Sequence, residues 1–114
     1  MIESISTMTQ HHFHLDKLSQ LSLHLEELFD SLRDCLEDAP PPELADEIAA
    51  TAGEIMLLLA DHGEDELVRE TLNDARHLRE VARTLRPRRA QLVETGAALT
   101  SDVARIIREE KRAA

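Results

Sequence analysis

Between residues 18 and 35 the apolar residues return at alternating steps of three and four: Leu18, Leu21, Leu25, Leu28, Leu32, Cys35. That is the seam of a helix that lays one edge against other helices. Leu15, Phe29 and Leu36 widen the edge. A stripe this broad suits a bundle rather than a bare two-stranded coil. The spacing predicts a helix over about 4–37. Pro40-Pro41-Pro42 must end it, because proline lacks the N–H that continues a helix and restricts the residue before it.

Three further segments follow from the same reasoning. Over about 43–61, Leu44, Ile48, Ala52, Ile55, Met56 and Leu59 share a face. Pro42 fits the first turn there, and Glu43, Asp46 and Glu47 suit its N-terminal dipole. His62-Gly63 supplies a stop. From about 64, Val68, Leu72, Ala75, Leu78, Ala82 and Leu85 carry a third face. The short connection makes the second and third segments an antiparallel hairpin. Pro87 then interrupts a register that otherwise continues through Arg89, Leu92, Gly96, Leu99, Val103 and Ile106. No Gly, Asn, Asp or Ser lies between Ala75 and Gly96 to encode a loop. Two readings stay open: a separate helix over about 87–112, or one long helix kinked at Pro87.

Composition agrees with an all-α chain. Leu, Ala, Glu and Arg dominate, and all favour helix. Trp and Tyr are absent and Phe13 and Phe29 are the two aromatics, so the core must be aliphatic. The expected architecture is a single elongated antiparallel helical bundle of 114 residues. Its three long segments become four if Pro87 makes a true turn. At ~1.5 Å per residue the first segment would be on the order of 50 Å long. One hairpin partner cannot cover it, so a homodimer is expected, with Leu18, Leu21, Leu25, Leu28, Phe29 and Leu32 as the dimer or partner interface.

Charge is unevenly spread. The total is −10, yet residues 1–66 hold sixteen acids against Lys17 and Arg33, while residues 67–114 hold eleven bases against seven acids. Halves of opposite sign attract on folding or on a twin copy. Two stripes share a 3-4-3 spacing: acidic Glu27, Asp30, Asp34 and Glu37, and basic Arg76, Arg79, Arg83 and Arg86. They could pair between copies or across a partner. A basic face can track phosphates. Against nucleic acid stand the acidic total, the lack of interleaved aromatics for base stacking and the lack of a helix-turn-helix pattern.

His11 and His14 share one helix face and could offer two imidazoles to Zn²⁺ or Ni²⁺, or act as a pH switch. No Cys accompanies them. The plainer reading is the wet tip of the leucine stripe. Catalysis finds no nucleophile elbow, no phosphate loop and no base near Cys35, and no cofactor is implied. A lone cysteine fits a reducing compartment. The first ten residues lack a signal-peptide pattern and no apolar run could cross a bilayer, so a cytoplasmic, membrane-free protein is expected. The whole points to a non-enzymatic protein–protein interaction module: an adaptor, regulator or export-chaperone-like protein that binds itself, or another protein through an amphipathic helix.

Overall fold

In the computed structural model the chain forms helices α1 (Ile2–Arg33), α2 (Pro42–Leu59), α3 (Glu66–Ala82) and α4 (Arg89–Ala113). A 3-10 turn, Ala60–His62, follows α2. The structure describes the backbone of residues 2–113 and the side chains of residues 15–112. Among these residues there is no strand, and no helix is long and apolar enough to cross a membrane.

The helices run up, down, up and down. Each packs against its neighbours in the order α1–α2–α3–α4 and back to α1, while α1 and α3, like α2 and α4, stand on diagonals. Short connections force this antiparallel arrangement. The result is a rod of 55 × 21 × 19 Å. One end carries the α1–α2 and α3–α4 loops on opposite edges. The other carries the α2–α3 connection.

Local chemistry sets the helix ends. Pro42 opens α2, and the Pro41 carbonyl accepts hydrogen bonds from Leu44 N–H at 3.0 Å and Ala45 N–H at 3.2 Å. Asp65 caps α3, its Oδ1 accepting from Leu67 N–H at 2.9 Å and Val68 N–H at 3.4 Å. Pro87 breaks the C-terminal segment into two helices rather than kinking one. Its ring would collide with the carbonyl four residues back, that of Arg83, and Arg83 is where α3 is capped. The first helix is likewise shorter at its C-terminal end than the expected 37.

The core runs through all four helices. Leu18, Leu21, Leu25, Leu28, Phe29 and Leu32 of α1 are buried with Ile48, Ala52, Ile55 and Leu59 of α2. Val68, Ala75, Leu78 and Val81 of α3 and Leu92, Leu99, Val103 and Ile106 of α4 complete it. This corrects the assignment of the α1 seam to a dimer or partner interface. The seam is covered within one chain, because α4 lies along α1 as well as α2. The long first helix therefore meets two covering helices rather than one.

One small residue brings two helices close. Gly96 of α4 faces Phe29 of α1, and a Cβ added there would fall closer to the ring than the 3.0 Å that real Cβ atoms keep. The buried hydroxyls of Thr51 and Thr71 donate back to Glu47 O at 2.8 Å and Leu67 O at 2.7 Å, so no donor is stranded by their burial. His24 Nε2 meets Glu47 Oε2 at 3.0 Å and ties α1 to α2 at the surface.

Candidate functional site

The loop end of the rod departs most from the sequence register. After Arg33 the chain leaves the helix, and Leu36, expected on the stripe edge, is 98% exposed. Leu85, expected on the face of the third segment, is 97% exposed in the α3–α4 loop. A single exposed leucine is ordinary on a protein surface; these two are set apart by standing at the same end of the bundle, one on each loop. Cys35 sits half-buried beside Leu36, its Sγ donating to Ser31 O at 3.4 Å.

Arg89 holds the two loops together. Its backbone N–H donates to Asp38 O at 2.7 Å, and its guanidinium Nη1 donates to Cys35 O. The residue read from sequence as part of the α4 seam is thus a clamp between loops. Beside it lies a surface recess of about 520 Å³, walled by Leu36, Glu37, Ala39 and Pro40–Pro42. Three consecutive prolines keep that wall stiff.

Charge divides this end. The α1–α2 side presents Asp34, Glu37 and Asp38, and the α3–α4 side presents Arg83, Arg86 and Arg88, all six exposed. Neither 3-4-3 stripe survives as a continuous helical face. Glu27 and Asp30 lie on α1, but Asp34 and Glu37 follow its end; Arg76 and Arg79 lie on α3, but Arg83 caps it and Arg86 is in the loop. Asp30 pairs with Arg33 at 3.1 Å, and Arg79 is half-buried with its stem near Gly53. The helices bearing the stripes stand on a diagonal, so the stripes cannot meet within one chain.

The opposite end holds a cavity of about 330 Å³ lined by Leu15, Leu18, Leu59, Val68 and Ile106, with His62, Glu64, Asp65 and Glu110 at its rim. Asp65 is already committed to capping α3. The metal or pH-switch assignment to His11 and His14 lies outside the described side chains. Among the described residues no group of three or more His, Cys, Asp or Glu could hold a metal ion.

Sequence reasoning missed one electrostatic feature. Asp102 of α4 faces Asp74 and Glu70 of α3, and its Oδ2 is buried without a hydrogen-bond partner. Its carboxyl is raised from 3.8 to about 7, first by burial and then by hydrogen bonding to Asp74 and the charges of Asp74 and Glu70, with Arg105 opposing. Both aspartates flank their helices' apolar faces. Finding them as a pair requires the register between α3 and α4, which neither helix encodes alone.

Fold and surface together define a small up-down four-helix bundle with an open, dipolar loop end. No protein-family model, curated protein or solved structure matches the chain.

Proposed function

We propose that the protein is a non-enzymatic protein–protein interaction module, a small acidic cytoplasmic adaptor or regulator, that docks through its loop end. One observation carries the reading: Leu36 and Leu85 stand almost wholly in water on two loops clamped together by Arg89. Exposing them forgoes about 1.5–3 kcal/mol of burial each, which a partner surface would recover. The stiff proline wall and the clamp pre-arrange the patch, and pre-arrangement lowers the entropy cost of docking. An export-chaperone-like role would use the same surface on an amphipathic segment of its client.

The test separates this patch from other exposed leucines. A protein captured on the immobilised chain is identified, purified and titrated against wild type, Leu36→Glu/Leu85→Glu and Leu23→Glu. Leu23 is also exposed, but lies on α1 away from the loop end. Affinity should fall at least tenfold in the double variant and hold in Leu23→Glu. Equal affinity for all three proteins, or no captured protein, overturns the reading.

A further inference from the structure

We propose that the loop end is self-complementary: two copies of this chain meet end to end about a two-fold axis, each seating Leu85 in the proline-walled recess of the other. The inference rests on the docking surface proposed above and names its occupant.

Three observations point to a second copy. The first is placement. The α1–α2 and α3–α4 loops cover opposite edges of a square bundle's end. A two-fold axis lying in that end face, across the rod, turns the α1–α2 edge of one copy onto the α3–α4 edge of the other. The reverse contact follows by symmetry, so the assembly closes as a dimer and does not propagate.

The second is charge. The α1–α2 edge carries Asp34, Glu37 and Asp38, and the α3–α4 edge carries Arg83, Arg86 and Arg88. None of these six side chains makes an ion pair with another described residue. The same rotation sets acids against arginines twice. A parallel slide of like edges would set acid on acid, so the charges select one orientation.

The third is shape. Leu85 projects from the basic edge, while the recess of about 520 Å³ opens beside Leu36, Ala39 and Pro40 on the acidic edge. The rotation presents one to the other, with the partner's Leu36 flanking the seat. Each contact thus joins an apolar knob to an apolar recess inside a charged rim, the usual anatomy of a specific interface.

Area sets the strength. An end face of 21 × 19 Å offers roughly 400 Å² per copy, about 800 Å² in total, below the ~1,200 Å² of stable complexes. The dimer is therefore weak and reversible, and it competes with any other partner for the same end.

The experiment is sedimentation equilibrium with small-angle scattering on the full chain, from 10 µM to 1 mM in 50 mM salt. The mass should rise from 12.8 kDa toward twice that value, and the maximum dimension from near 55 Å toward twice it. Leu85→Glu should weaken dimerisation at least tenfold. Arg83→Glu/Arg86→Glu/Arg88→Glu should abolish it, and so should Asp34→Arg/Glu37→Arg/Asp38→Arg. Mixing the two charge variants should restore a dimer. All substituted residues are exposed, and circular dichroism checks that each variant is folded. A wild type monomeric at 1 mM overturns the proposal. So does a dimer no longer than the monomer, or one indifferent to Leu85→Glu. A monomeric wild type whose captured partner still needs Leu36 and Leu85 refutes self-association alone; loss of both refutes the docking surface itself.

Discussion

Replacing Asp102 by Asn should stabilise the protein at pH 8 and do little at pH 4. The sign follows from proton linkage. The folded state holds a proton on Asp102 up to about pH 7, whereas the unfolded chain releases it near 3.8. Between those values the folded state binds more protons, so stability falls as pH rises. The contribution is intact below 3.8 and lost by the time pH passes 7. Above 7 the carboxylate is charged beside Asp74 and Glu70 with one oxygen buried and unpartnered. A rise from 3.8 to about 7 corresponds to about 4 kcal/mol at most. Asp102 keeps part of its surface in water, and screening reduces the figure to about 1–2 kcal/mol.

Asparagine keeps the shape, cannot charge, and offers an N–H to Asp74. Urea denaturation followed by far-ultraviolet circular dichroism suits a chain without Trp or Tyr. At pH 8 the variant should gain about 1–2 kcal/mol over wild type, and at pH 4 the two should agree within about 0.5 kcal/mol. In thermal melts the pH 8 gain would appear as roughly 4–8 °C per kcal/mol. A difference that stays constant between pH 4 and pH 8, or a variant less stable at pH 8, would refute the account of this carboxyl pair.

Gly96→Ala should destabilise by about 1–3 kcal/mol through collision with the buried Phe29 ring, although alanine gains about 1 kcal/mol in helix propensity. Phe29→Leu combined with it should cost less than the two single changes added together, and a more stable Gly96→Ala in urea would contradict the close packing of α1 on α4. Leu25→Ala removes a side chain with no exposure and should cost about 2–5 kcal/mol in urea denaturation; a cost below about 1 kcal/mol would deny that the α1 seam is packed inside the chain. Arg89→Ala should cost about 1–2 kcal/mol and speed amide exchange over residues 35–38 more than in the core, and unchanged exchange there would deny the clamp.

Much of the bundle was legible because apolar spacing reports helix faces directly. Leu18, Leu25 and Leu32 on α1, Ile48 and Ile55 on α2, and Leu92, Leu99 and Val103 on α4 are all buried where the register puts them. Leu36 and Leu85 were misread for the same reason: the three-four rhythm runs on through both, although the chain has already left the helix. Pro87 excludes Arg83 from the helix interior, yet sequence alone leaves kink and break open, since a long helix could bend there. The extent of cover for α1 was also hidden. It depends on α4 returning along the same side, and no local pattern states which helices become neighbours. Asp74 and Asp102 illustrate that limit at the level of single side chains.

The uneven charge acquires a structural meaning once the order of packing is known. α2 packs against α3 and α4 against α1, yet α3 carries four acids against three bases and α4 five bases against four acids. Charge therefore adds little to closing the square, since each exposed pair is worth only ~0.2–1 kcal/mol. The basic excess of the second half sits in Arg83, Arg86 and Arg88, around the α3–α4 turn. At the loop end the halves terminate side by side, acids on one edge and arginines on the other, with no helix beyond to face them. The asymmetry of the chain is therefore expressed chiefly as a dipole across this end. Salt near 0.5 M, where screening acts within a few ångströms, should weaken end-to-end association far more than it lowers the urea midpoint of the monomer. Equal sensitivity of the two would mean that the charges serve the fold alone.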